Sequence, residues 1–153
     1  MPKIDIAKAK VRTETIYPPP HDKVTLGREK IVLGNVAGLT QFGVNLTRLK
    51  PGAASALRHW HENEDEFVYV LDGELVLVED DGETLLKAGD CAGFRAGVPN
   101  GHHLVNRSDL DALVLEVGTR APTERAHYSD IDMKVERDGN GMRFTRNNGE
   151  PYA

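Results

Sequence analysis

The strongest constraint on this chain is the even spacing of short β-favouring runs, each stopped by residues that turn the backbone. The runs cover residues 30–33, 42–49, 56–61, 66–71, 74–79, 84–87, 102–106 and 112–117. Between them stand Gly34, Pro51-Gly52, Asp72-Gly73, Asp81-Gly82, Gly89-Asp90 and Gly97 with Pro99. Asp-Gly between alternating apolar runs marks a tight hairpin, because glycine supplies the positive φ that such turns require. No long segment repeats its apolar residues every 3.6 positions, which argues against helical and alternating α/β designs. The expected fold is all-β, a sandwich or barrel.

The chain has 153 residues, which the usual length range assigns to one domain, 1–153. The runs place the barrel core at about 28–118. Residues 1–23 are polar and broken by Pro18-Pro19-Pro20, which cannot sit inside a strand, so they read as an arm laid over a surface. Residues 119–153 turn polar again and are expected to be an extended tail.

Charge and cysteine content exclude several classes. Nineteen Lys+Arg against twenty-four Asp+Glu give a net charge of −5, the wrong sign for a nucleic-acid binder. Cys91 is the single cysteine, so there is no intrachain disulfide and no all-thiolate metal site. It is expected to be a small buried hydrophobe. No apolar run is long enough to span a membrane. The first ten residues lack a signal-peptide pattern, so a cytoplasmic location is expected.

The histidines carry the chemistry. His59 and His61 flank Trp60, and His102-His103 form a second pair. Positions i and i+2 of a strand share a face, so His59 and His61 project together while Trp60 points away, toward the arm or a subunit contact. Glu66 follows after a short acidic turn and can return beside them. With His102 this makes three imidazoles and a carboxylate, a donor set for a borderline divalent ion such as Zn, Fe, Mn, Ni or Cu. By itself, His-x-His in a strand is equally the mark of a solvated polar pair.

The longer pattern shifts that balance. Gly52 to Gly73 reads G-x6-H-x-H-x4-E-x6-G; Gly89 to Asn106 contains Gly-Asp, Gly-x4-His and His-x3-Asn. These strings, 15 residues apart, resemble the two signature motifs of the cupin family. The stretch Asn45-Leu46-Thr47-Arg48-Leu49 and the segment 130–133 are similar to those of small single-domain bacterial cupins of unassigned activity. The resemblance implies a double-stranded β-helix, or jelly-roll barrel, with a metal near its mouth. Carried over by motif position, the ligands are His59, His61, Glu66 and His102. Leu104 and Asn106 then face inward and His103 outward.

Three departures from the family pattern stand out. Six residues rather than five precede His59, Arg95 replaces a usual proline, and four residues rather than two separate Gly97 from His102. The longer loop leaves His103 as the alternative third imidazole. Arg95, on the loop leading to that ligand, could clamp a substrate carboxylate or phosphate bidentately or simply form a surface ion pair. Phe67, Tyr69 and Phe94 read as core or interface aromatics.

The fold hosts many chemistries. The expected function is a metal-dependent enzyme, isomerase- or epimerase-like, acting on a sugar, sugar phosphate or keto acid. The alternatives are an iron-dependent dioxygenase and a non-catalytic metabolite-binding cupin. No general base is evident, because every candidate is already a ligand. A two-fold homodimer is expected, with the arm before Asp22 contacting the partner barrel and Trp60 near the interface.

Overall fold

Alternation of apolar and polar side chains along the strands sorts this chain into inward and outward faces, and the computed structural model, which describes residues 2–152, follows it. Thirteen strands form: β1 (Val11–Arg12), β2 (Arg28–Val32), β3 (Phe42–Leu49), β4 (His59–His61), β5 (Glu66–Asp72), β6 (Glu74–Glu79), β7 (Gly82–Lys87), β8 (Cys91–Phe94), β9 (His103–Val105), β10 (Ala112–Thr119), β11 (Glu124–Tyr128), β12 (Lys134–Asp138) and β13 (Gly141–Thr145). Helical structure among the described residues is limited to a 3-10 turn at Ile6–Lys8 and one turn of α-helix, α1 (Leu33–Val36).

The strands form a six-stranded sheet in the order β1-β2-β3-β10-β5-β8, a four-stranded sheet β13-β12-β11-β4 and a three-stranded sheet β7-β6-β9. Isolated bridges His59↔His102 and Ala54↔Val105 tie the second and third together. The result is a jelly-roll arrangement whose sheets do not close into a continuous barrel. Its core lies between the inner face of the large sheet and the three-stranded sheet, with Leu49, Val70, Ala112 and Val114 of the first and Leu75 of the second wholly buried. The β5–β6 hairpin turns at Gly73, with φ of 76° and a carbonyl of Asp111 only 2.7 Å from where a Cβ would stand. No other residue fits that turn without moving the chain.

Several expectations are corrected here. The run 56–61 is a strand only over its last three residues, and segment 91–94, outside the β-favouring runs, is strand β8. Because Tyr69 pairs with Cys91 and Val68 with Ala92, the alternation turns Cys91 outward, and it is exposed rather than buried. The segment 119–153 is no extended tail. Its three strands continue the sheet that carries β4, and Tyr128, Met133 and Phe144 build a second apolar cluster. Tyr17 of the arm completes that cluster, edge-on to Tyr128 at 5.5 Å, and its hydroxyl accepts from the Leu57 amide. The arm thus covers its own chain, and β1 pairs with its own β2. Trp60 stacks on His127 of the same chain at 4.4 Å.

Candidate metal centre

Each sheet contributes to one cluster of side chains. Glu66 begins β5 of the large sheet, His59 and His61 come from β4 of the second, and His102 precedes β9 of the third, bridged to His59. Glu66 Oε1 lies 2.8 Å from His102 Nε2, 3.3 Å from His61 Nε2 and 3.6 Å from His59 Nε2. Glu66 therefore touches all three imidazoles; the donor atoms of His59, His61 and Glu66 lie within 4.8 Å of one another, and His102 joins them through Glu66.

The imidazoles are oriented from behind. His59 Nδ1 donates to the Leu57 carbonyl at 2.7 Å and His102 Nδ1 to the Asn100 carbonyl at 3.1 Å. A carbonyl can only accept, so both Nδ1 atoms carry the proton and both Nε2 lone pairs face the cluster when the rings are neutral. His61 Nδ1 is buried without a hydrogen-bond partner, 3.8 Å from Glu64, while its Nε2 turns to Glu66. Three nitrogen donors, two of them fixed from behind, and one carboxylate suit a borderline divalent ion and are an expensive set to bury without one. His103 is placed differently: its Nδ1 is held by the Ala56 carbonyl at 2.7 Å, and it is His102 whose ring reaches Glu66.

Burial opposes charge throughout the cluster. It pushes the Glu66 carboxyl up, but the contacts of His102 and His59, in their protonated forms, outweigh it and hold the group well below the usual carboxylate range. Burial lowers His61 to about 4, against the pull of Glu66, so this imidazole stays neutral near pH 7. For His59 burial also lowers the value, yet the Glu66 contact wins and the net shift is upward.

The cluster opens into a cavity of about 400 Å³, large enough for a small molecule. Its walls carry groups that the motifs did not indicate, among them Arg12, Arg28, Lys30, Glu116, Tyr17 and Tyr128. A signal was available for Glu116: Ala112, Val114 and Glu116 share one face of a strand, and an acid in line with two core residues points inward. Arg95 is exposed and stands outside the cavity wall.

A jelly-roll-like β-fold with three imidazoles and a carboxylate turned into its cavity defines a small-molecule-binding barrel. Residues 45–118 match the cupin domain family. A cupin-superfamily sugar phosphate isomerase from Silicibacter pomeroyi is 52% identical, with 99% of this chain and 96% of that chain covered and a TM-score of 0.96. The chain belongs to the cupin superfamily. A protein from Acidithiobacillus ferrooxidans shares the fold at 22% identity, covering 95% of this chain and 89% of its own, TM-score 0.81. A polyketide cyclase from Streptomyces resistomycificus does so at 19% identity, covering 78% and 79%, TM-score 0.64. No curated protein matches the chain. None of the described helices is long and apolar enough to cross a membrane.

Proposed function

We propose that this protein is a metal-dependent isomerase of sugar phosphates, with one divalent transition ion held by His59, His61, Glu66 and His102. The observation that carries the reading is the meeting of three imidazoles on Glu66 inside a cavity of small-molecule size. The full-length likeness to a sugar phosphate isomerase supports it. Bound there, a divalent ion supplies Lewis acidity toward a carbonyl or enediolate oxygen.

The protein's own residues do the rest. Aldose–ketose exchange moves a proton between adjacent carbons, which needs a carboxylate or imidazole free to accept it. Glu64 and Glu124 also line the cavity, but the amides of Glu62, Asn63 and Arg125 occupy both oxygens of Glu124, and Glu64 is held through Oε2 by the Ala121 amide and the Arg137 guanidinium. Glu116 has no such cap; the Thr47 hydroxyl donates to it and Lys30 stands 3.6 Å away. We assign it the proton-accepting role. Tyr17 and Tyr128 close the wall on the other side and keep bulk water from the cluster.

A homodimer belongs to the same reading. The outer face of the large sheet presents Phe67, Tyr69 and Leu71 to solvent, beside Leu115 and Val117 on β10 and Leu46 and Val44 on β3. Antiparallel sheets normally turn polar residues to water on such a face, and a second copy packing sheet on sheet would bury it.

The test of the reaction is anaerobic and aerobic incubation of metal-loaded protein with aldose and ketose phosphates, followed by NMR. Interconversion without oxygen uptake is expected. Product formation tied to oxygen consumption, or no conversion of any phosphorylated sugar, overturns the reading. His61→Ala should lose the ion and the turnover together.

A further inference from the structure

We infer that the inner faces of β1 and β2 form an anion subsite, in which Arg12, Arg28 and Lys30 bind the phosphate dianion of a phosphorylated ligand. The inference rests on the sugar phosphate reading for the remainder of the ligand and on local geometry for the phosphate. Arg12 and Lys30 are direct partners in the β1–β2 ladder, and Arg28 lies two residues from Lys30 on the same face. That face is the inner one, because Lys30 and Arg28 pair with Thr47 and Leu49, both wholly buried. All three cations line the cavity that holds the histidine cluster.

The charge of the two arginines is not spent elsewhere. Among the described residues, neither Arg12 nor Arg28 has a carboxylate in ion-pairing contact; Arg28 donates only to the Ser55 carbonyl, at 2.7 Å. Lys30 has Glu116 at 3.6 Å. The other cavity arginine, Arg137, is consumed by Glu64 at 2.6 Å and by the Ala121 carbonyl. The cavity is therefore polarised, with Glu14, two residues from Arg12, and Glu116 the lining carboxylates on the cationic side. Carboxylates and imidazoles gather around β4, β5 and β11, and free guanidiniums stand at the β1–β2 edge.

On a chain with a net charge of −5, a local cationic wall steers how a dianion enters the cavity and which end leads. Guanidiniums in pairs match the oxygens of a phosphate. Strands β3 and β10 lie between β2 and β5, three strand spacings or roughly 14 Å. Arginine side chains reaching inward leave a gap that a sugar can fill between phosphate and Glu66. Arg12, exposed at the mouth, gives the N-terminal arm a second role beside packing.

Calorimetric titration of the intact protein with inorganic phosphate at fixed ionic strength tests this, comparing wild type with Arg12→Gln, Arg28→Gln and Arg95→Gln. Phosphate affinity is expected to fall about tenfold or more in Arg12→Gln and Arg28→Gln and to hold in Arg95→Gln. Arg28 also supports the Ser55 carbonyl, so a misfolded Arg28→Gln is a conceivable result; the exposed Arg12 keeps the test decisive. No phosphate binding by wild type, undiminished binding by Arg12→Gln, loss in Arg95→Gln instead, or equally tight acetate binding overturns the subsite. Arg12-dependent phosphate binding without isomerase turnover upholds the subsite and removes the proposed reaction. Turnover with phosphate binding indifferent to Arg12 does the reverse.

Discussion

His102 lies flat against Phe94, with ring centroids 3.6 Å apart and planes 3° from parallel. Phe94 ends β8 on its inner face, paired with Glu66, so a single ladder position sets both the carboxylate and the ring that holds its imidazole partner. Removing the ring in Phe94→Ala leaves His102 held from behind only by the Asn100 carbonyl, beside its contact with Glu66. Metal affinity, measured by competition with a chelator, is expected to fall 10–100-fold, as for other groups that orient ligands from behind. The half-buried aromatic should also cost about 2 kcal/mol in stability. Unchanged affinity would show that the stack does not hold the ring.

The longer loop before His102 is made possible by Gly101. A Cβ there would stand 1.8 Å from Ser129 Oγ and 2.8 Å from Ser129 Cβ, far inside contact distance. Gly101→Ala must therefore push the loop off the tail and carry His102 with it. A loss of about 1–3 kcal/mol and weaker metal binding are expected, and Ser129→Gly in the same chain should recover most of both. A double variant no better than Gly101→Ala alone would reject the steric account.

How far the sequence reached follows from what each motif encodes. The hairpins and β3, β5, β6 and β10 were legible because Asp-Gly turns and period-two alternation are local signals. The cluster was legible because His59, His61, Glu66 and His102 carry fixed spacings, and the extra loop residues before His102 disturbed the register less than they threatened to. Residues 124–145 were misread because Lys, Glu, Arg and Asp dominate their strands. Their partners, β4 and the arm residue Tyr17, lie some 60 to 130 positions earlier in the chain. Only the pairing of β11 with β4 and the packing of Tyr17 are long range; the β12–β13 hairpin, turning at Gly139-Asn140, was a local signal passed over. Distance along the chain also hid Arg12, Arg28 and Glu116, whose common cavity exists only after β2, β3 and β10 pair, and it drew attention to Arg95, which the loop turns outward.

Arg58 fastens the tail to the site. Its guanidinium grips Asp130 with Nε at 3.1 Å and a terminal nitrogen at 2.9 Å, and donates to Asp80 and to the Gly101 carbonyl. The hydrogen bond from Arg58 lowers the Asp130 carboxyl below its ordinary value of 3.8, with burial opposing only weakly. A carboxyl depressed by folding stabilises fully above its unfolded value and loses that contribution as pH falls through the folded one. Wild type should therefore be more stable than Arg58→Ala at pH 7, and the gap should close below pH ~3.8. Asp130 is largely exposed, so its pairing contributes no more than about 1 kcal/mol. Urea unfolding of both proteins from pH 7 to 2 checks the sign; a gap that widens in acid would contradict it.

Glu116→Gln separates proton transfer from binding. The amide keeps the shape and the Thr47 contact but cannot accept a proton at neutral pH. Turnover should drop roughly 10²–10⁴-fold while metal content stays stoichiometric. Equal activity would move the proton-accepting role elsewhere in the cavity.

Assembly offers the last check. Phe67, Tyr69 and Leu71 alternate along β5 on its outer face, 41%, 37% and 44% exposed. Tyr69 pairs with Leu115, and Phe67 with Val117, so the apolar surface runs across strands without a charge between these pairs. A charge placed in its centre must be desolvated if a second copy packs there, and costs nothing if the face meets water. Light scattering of the intact protein should give twice the 16.9 kDa chain mass, and Tyr69→Lys should shift it to monomer with metal content retained. A chain starting at Val24 should remain dimeric, since the arm packs through Tyr17 on its own Tyr128 and Phe144. That truncation should lower thermal stability instead, by stripping β1 and one ring from the second apolar cluster. A monomeric intact protein at micromolar concentration would reject the dimer, and dissociation on removing the arm would return the interface to the N-terminus.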